Sequence, residues 1–159
     1  MSNICKYTGF KSTDYIYAYD TTTQNITAVG EAFIWKFNTV DFSSGITIVE
    51  DTKITVSKAG VYNIQFSAQV VESNASATDL WVWPIKNGTP IPNSNTKYTL
   101  KGSGEAAVII LNFLLRLEKD DYIQIAWTNS MTSSLTYSPS STNPIKPAIP
   151  SIILTAWEI

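Results

Sequence analysis

The chain has no histidine and only one cysteine, Cys5. Without histidine it lacks the usual general base, the most common metal ligand and any serine–histidine triad. One cysteine excludes an intrachain disulfide and any zinc site built from several cysteines, and next to the N-terminus it is more typical of an incidental residue than of a reactive thiol. The sequence therefore predicts no catalytic residues, no metal site and no cofactor. It indicates a protein that is not an enzyme.

Charge is scarce as well, because charged residues make up 15% of the 159 residues and the formal net charge is -2. Lysines and arginines are scattered singly, so the sequence lacks the basic patch that nucleic-acid binding needs. Hydrophobic residues account for 44%, enough for one domain with a real core. So little charge hints that part of the surface is covered by copies of the chain or by partners.

Long hydrophobic runs are missing too. The longest, Ala106–Leu111, is much shorter than the ~20 residues that a membrane-spanning helix needs. The N-terminus does not combine a basic start with an apolar core, so we expect no signal peptide and no membrane association.

Acidic pairs are the remaining candidates for chemistry. Neither Glu50-Asp51 nor Asp120-Asp121 is predicted to be a catalytic dyad, because adjacent carboxylates on a strand point to opposite faces. In turns, both pairs are predicted to be solvated tips. An oxygen-rich calcium site is the alternative, although the spacing of an EF-hand loop is absent.

Strand patterns are abundant, and no segment has a helical period. Residues 1–25 are predicted to be an N-terminal arm with a short strand, and residues 26–159 a sandwich or barrel. Ser138–Pro150 is predicted to be a long ordered loop. Turn residues, including Ser43-Ser44-Gly45 and Asn87-Gly88, separate the predicted strands. The predicted strands are Tyr15–Tyr19, Glu31–Asn38, Gly45–Val49, Lys53–Val56, Gly60–Val71, Thr78–Lys86, Lys97–Leu100, Ala106–Glu118, Asp121–Thr128, Ser134–Tyr137 and Pro150–Ile159.

The strand Ala106–Glu118 is apolar on both faces, unlike Gly60–Val71, which alternates cleanly. One face would carry Ala107, Ile109, Leu111, Phe113, Leu115 and Leu117. The other would carry Val108, Ile110 and Leu114, interrupted by Asn112 and Arg116. Cover of this second face by a loop is one interpretation, but packing against sister subunits is the favoured one.

Thr78–Lys86 has the same property. If Leu80 and Val82 face the core, Trp81, Trp83 and Ile85 face outward together. Outward tryptophans are typical of interface hot spots, so these three residues are predicted to bind a partner. A stacking platform for sugars is the second interpretation.

Two segments resemble the jelly rolls of the tumour-necrosis-factor (TNF) family and of complement globular heads. Ala59–Val70 (AGVYNIQFSAQV) is similar to their Gly-x-Tyr-x-x-x-Phe strand, and Leu115–Ile125 (LRLEKDDYIQI) is similar to their Leu-x-x-Gly-Asp-x-Val segment. Asp120 stands where the family usually has glycine, so that turn is expected to differ slightly.

More specifically, the chain resembles short jelly-roll proteins of bacteriophages, through motifs spread from about residue 15 to the C-terminus. These motifs are Tyr19–Gln24, Asn87–Thr89, Asn93–Thr96, Leu114–Gln124 and Pro147–Thr155. The resemblance implies a jelly roll of about ten antiparallel strands assembled as a homotrimer. We expect the trimer interface to contain Tyr62, Phe66, Ile110, Leu111, Asn112, Phe113, Leu114, Ile153 and Trp157.

The resemblance also implies a role on the virion surface after synthesis in the host cytoplasm. The first expectation is a capsid decoration, cement or head-fibre protein that docks on the lattice of the major capsid protein. The alternative is the receptor-binding head of a tail fibre, which would recognise a host surface glycan or protein. The stretch before the sandwich is too short for a fibre shaft, which favours decoration. The absence of a signal peptide argues against a third interpretation, a secreted cytokine-like ligand.

Overall fold

The computed structural model describes residues 13–102, 104–131 and 133–159, so Cys5 lies outside the described residues. Sixteen strands and no helix occur in them, which confirms the all-β prediction. In chain order the strands are β1 (Tyr15–Asp20), β2 (Gln24–Asn25), β3 (Phe33–Ile34), β4 (Thr39–Ser44), β5 (Ile46–Val49), β6 (Lys53–Val56), β7 (Gly60–Glu72), β8 (Thr78–Lys86), β9 (Thr89–Pro90), β10 (Thr96–Leu100), β11 (Ala106–Leu117), β12 (Tyr122–Asn129), β13 (Ser133–Leu135), β14 (Ser141–Thr142), β15 (Ile145–Lys146) and β16 (Ile152–Glu158).

The strands form two sheets that pack face to face. The first sheet has the order β2-β13-β7-β16-β1-β4, and β11 runs along the other edge of β7. The second sheet has the order β10-β8-β12-β6-β5, with β9 against β8 and β3 against β12. Every pairing is antiparallel. The remaining two strands, β14 and β15, pair in a small hairpin within the predicted loop Ser138–Pro150.

The core lies between the sheets and is built by strands with period two. On β7 the side chains of Tyr62, Ile64 and Phe66 are buried, while those between them are more exposed. Trp35 packs edge-on against Phe66, with 4.8 Å between ring centroids. This contact joins a buried loop residue to the central strand of the first sheet.

The short strand predicted at Tyr15–Tyr19 occurs as β1, but it lies within the sandwich and not in a separate N-terminal arm. β1 pairs with β16 on one side and with β4 on the other, so it is an inner strand of the first sheet. Ile16 and Ala18 on β1 are buried in the core. Within the described residues, the sandwich therefore begins with β1.

The region between Glu31 and Ser44 also differs from the prediction. Only Phe33–Ile34 pairs as a strand within the predicted Glu31–Asn38, although Trp35 and Phe37 are buried as their alternation suggested. The sequence Ser43-Ser44-Gly45 is not a turn. Ser43 and Ser44 are the last residues of β4 in the first sheet, and β5 of the second sheet begins at Ile46. The chain passes from one sheet to the other at Gly45, which has a φ of +69°.

The predicted turns at two other points have the expected backbone. Asn87 and Gly88 have φ angles of 50° and 81°, which is typical of the tight hairpin turn that connects β8 to β9. Asp120 has a φ of 67°, a left-handed conformation that glycine would adopt with less strain. The Asp120 turn thus keeps a glycine-like backbone without glycine.

Candidate interaction surfaces

The acidic pairs serve turns. Glu50 and Asp51 lie at the exposed tip between β5 and β6, with φ angles of 52° and 57°, and Glu50 pairs with Lys53 at 2.6 Å. Among the described residues, no three His, Cys, Asp or Glu side chains come together as a metal site. Glu50 and Asp51 form the turn tip that the sequence predicts.

Asp121 also serves a turn. Its carboxylate accepts hydrogen bonds from Lys86 at 2.6 Å, from the backbone N–H of Glu118 at 2.7 Å and from the Asn87 amide at 2.6 Å. Partial burial opposes ionisation, but these donors outweigh it and lower the pKa of Asp121 from 3.8 to about 2. The anion thus fastens the β11–β12 turn to the β8–β9 hairpin.

Tyr62 belongs to a buried network and not to an interface. Its hydroxyl lies 3.1 Å from Asp14 Oδ2 and 3.0 Å from the carbonyl oxygen of Lys58. Lys58 Nζ bridges Asp14 at 3.2 Å and Glu158 at 2.8 Å. Burial, followed by the hydrogen bond to Asp14 and the charge of its carboxylate, raises the pKa of Tyr62 above its usual value. The network ties the residue before β1 and the end of β16 to β7.

The outer face of the first sheet is the surface opposite the core on β11, β7, β16, β1 and β4. Three rows of paired residues cross it. They are Ile110-Ser67-Ile153-Tyr19, Asn112-Gln65-Thr155-Tyr17-Phe42 and Leu114-Asn63-Trp157-Tyr15. None of these residues is charged. The two outer rows are mostly apolar, and the middle row is polar where it crosses β11, β7 and β16.

Large apolar side chains are exposed on this face. Ile110 is 61% exposed and Leu114 is 63% exposed, although both are aliphatic. Between β11, β7 and β16 lies a hollow of about 280 Å³, lined by Gln65, Phe66, Ser67, Ile110, Ile153 and Thr155. Arg116 lies on the same side of β11, beyond the three rows. Three uncharged rows with exposed aliphatic side chains have the character of a surface that another protein covers.

The structure divides the nine predicted interface residues between the two sides of this sheet. Those on the outer face are Ile110, Asn112, Leu114, Ile153 and Trp157. Leu111 and Phe113 point the other way and pack against the core. Tyr62 and Phe66 were placed wrongly, because they are 0% and 1% exposed and offer no surface to a partner.

The sequence analysis missed the aromatic contribution of β1 and β4. Phe42 stacks on Tyr17 with 5.5 Å between ring centroids, and it lies 6.1 Å from Tyr15. The alternation of Tyr15, Tyr17 and Tyr19 was visible in the sequence, but assigning them to an arm hid their place on the outer face.

A second surface lies on the opposite sheet. Trp81, Trp83 and Ile85 are half-buried and point away from the core, whereas Leu80 and Val82 are buried beneath them. Beside the two tryptophans is a groove of about 490 Å³, called here the tryptophan groove. It is lined by Trp81, Trp83, Pro90, Ile91, Asn93, Asn95 and Thr128. Ile85 lies on the same face but does not line the groove.

The loop between β9 and β10 forms one wall of the tryptophan groove. The backbone N–H of Ile91 donates to the carbonyl oxygen of Pro84 at 3.1 Å, and the Ser94 hydroxyl donates to the carbonyl oxygen of Ile91 at 2.7 Å. Asn93 takes a left-handed φ of 59° to make the bend. These two hydrogen bonds join residues close in sequence, but the sequence pattern did not predict them.

Comparison with known proteins supports the fold alone. No family model matches the chain, and no curated protein matches it. The crystal structure of murine APRIL, a TNF-family protein, matches with a TM-score of 0.58 at 9% sequence identity and covers 92% of this chain and 99% of that chain. The chain is therefore a TNF-like antiparallel jelly roll. None of the described residues forms a helix that could cross a membrane.

Proposed function

We propose that this protein is a non-enzymatic structural protein of a bacteriophage virion, which forms a homotrimer and decorates the capsid surface. The observation that carries the proposal is the outer face of the first sheet, with its three uncharged rows and exposed Ile110 and Leu114. The phage context comes from the motif resemblance in the sequence.

Self-association through this face would remove its apolar side chains from water. Burying one Ile or Leu side chain contributes roughly 1.5–3 kcal/mol. A symmetric trimer repeats every such contact three times, so a few exposed residues add up to a large stabilisation. The face has no charge in its three rows, and association therefore requires no burial of unpaired ions there.

The polar middle row gives this interface its orientation. Asn112 and Gln65 are amides with both donors and acceptors, and they lie between two apolar rows. In a trimer these groups would hydrogen-bond between subunits and fix the register of the packed faces. Tyr62 and Phe66 are not part of the proposed interface, and Leu111 and Phe113 support it from the core side.

In the proposed role, the trimer docks on the lattice of the major capsid protein and needs no cofactor. Cryo-electron microscopy of intact virions tests this role. We expect threefold density of this protein at regular positions on the capsid facets. Density confined to the tail tip would contradict decoration.

The second candidate function is the receptor-binding head of a tail fibre. The tryptophan groove favours it, since two half-buried tryptophans beside a concave pocket are suited to binding a ligand. Tail-tip density in the same images would support this candidate.

A further inference from the structure

The walls of the tryptophan groove combine aromatic faces with amide groups. Trp81 and Trp83 stand two residues apart on the outward side of β8, and the loop between β9 and β10 brings Asn93 and Asn95 opposite them. The two asparagines are exposed. Each amide can donate and accept hydrogen bonds. The groove therefore offers an apolar platform with polar groups along one side.

No charged side chain of the described residues lines this groove. A cation close to the platform is Lys97, whose Nζ lies 5.8 Å from the centre of the Trp81 ring. Asp79 neutralises it at 2.8 Å. An anionic ligand such as a phosphate or a sulfated chain would meet no free positive charge at this site, so the groove matches a neutral ligand.

Size and rigidity point to a small ligand. The groove measures about 490 Å³, within the range of ~300–1,000 Å³ that small-molecule sites occupy. Its loop wall is held by the bond of Ile91 to Pro84 and by the Ser94 hydroxyl. A wall fixed in this way is formed before the ligand arrives, which reduces the entropy that binding must overcome.

We infer that the tryptophan groove binds a neutral carbohydrate of one or two pyranose rings. The C–H face of a sugar ring packs on the electron-rich face of Trp81 or Trp83, and its hydroxyl groups bond to the amides of Asn93 and Asn95. The inference deepens the receptor-binding candidate and rests on it for its biological role. It does not depend on the trimer.

A glycan array is the experiment that tests it, with the purified full-length chain applied to neutral, sialylated and sulfated glycans. We expect binding to a set of neutral glycans. The best of them is then titrated by calorimetry against Trp81→Ala, Trp83→Ala and Asn95→Ala. Each tryptophan variant should lose at least about tenfold in affinity, and Asn95→Ala about fivefold to tenfold. Tyr98→Ala is the control, because Tyr98 is exposed on β10 and does not line the groove.

Several results would overturn the inference. These are no binding to any neutral glycan, binding to anionic glycans only, or neutral binding that is unchanged in the variants. Asn95→Ala alters only an exposed side chain. Its affinity therefore tests the inference even if a tryptophan variant fails to fold. Solution mass is measured on the same samples, so an intact trimer that binds no neutral glycan contradicts this inference and leaves the structural role standing.

Discussion

The carboxylate of Asp14 occupies the space beside Gly45 that a side chain would need. A Cβ built on Gly45 would lie 2.1 Å from Asp14 Cγ, and its φ of +69° is unfavourable for any other residue. Gly45 is also where the chain passes from the first sheet to the second. The crossing and the buried network around Asp14 therefore depend on the same glycine.

We predict that Gly45→Ala destabilises the fold by about 3 kcal/mol or more, because backbone strain and the clash with Asp14 add together. Gly30→Ala is the matched control, since Gly30 has a φ of +79° but no atom within 4 Å of the position that a Cβ would take. Gly30→Ala should lower the free energy of unfolding by about 1 kcal/mol, from backbone strain alone. Urea unfolding of both variants measures their free energies of unfolding. An equal loss of stability in the two variants would contradict the clash with Asp14.

Tyr62→Phe is expected to destabilise the protein by about 1–3 kcal/mol, because the buried Asp14 carboxylate loses a hydrogen-bond donor. The pKa of Tyr62 is raised by folding, so its contribution is complete below its unfolded value of 10.0 and is lost as the pH rises beyond it. Wild-type stability should therefore fall more steeply above pH 10 than that of the variant. Urea melts at increasing pH test this, and parallel declines would argue against it.

Asp121→Asn should weaken the protein at neutral pH by about 1–2 kcal/mol, since the carboxylate holds Lys86 and two N–H donors. The pKa of Asp121 is lowered, so its contribution is present above 3.8 and disappears as the pH falls through about 2. The difference in free energy of unfolding between wild type and Asp121→Asn should therefore shrink as the pH falls from 3.8 to about 2. Asp120→Asn, at the exposed neighbour, is the control. A difference in unfolding free energy that does not change with pH would contradict the stabilising role of the Asp121 carboxylate.

Ile110→Asp should give a folded single chain instead of a trimer, because it places a carboxylate in the proposed interface. Ile145→Asp is the control, since Ile145 is 91% exposed in the β14–β15 hairpin and lies outside the outer face. Sedimentation reports the mass, and circular dichroism reports the fold. Full-size trimers from Ile110→Asp would show that the interface lies elsewhere. Phe113→Asp is unsuitable for this purpose, because Phe113 packs against the core.

The sequence predicted the fold best where strands alternate over many residues. The inward and outward sides of β11 match the alternation read from the sequence, since a period of two fixes which side chains share a face. Alternation alone does not say which face is the core. Tyr62 and Phe66 were assigned to the interface with the family resemblance, but they lie on the core side of β7, where Asp14 accepts a hydrogen bond from the Tyr62 hydroxyl.

Contacts that the strand pattern does not encode account for the other errors. β4 was missed because Ser43-Ser44-Gly45 has the composition of a turn, and only the second sheet explains why the chain continues extended through it. The tryptophan groove was predicted only in part. Trp81 and Trp83 followed from the β8 pattern, but the wall with Asn93 and Asn95 depends on a hydrogen bond between Ile91 and Pro84.

Self-association through the outer face of the first sheet is the central claim, and the mass of the purified full-length chain in solution tests it most directly. Sedimentation equilibrium or light scattering at micromolar concentration should give three times the chain mass of 17.6 kDa. A stable monomer at that concentration would contradict the account.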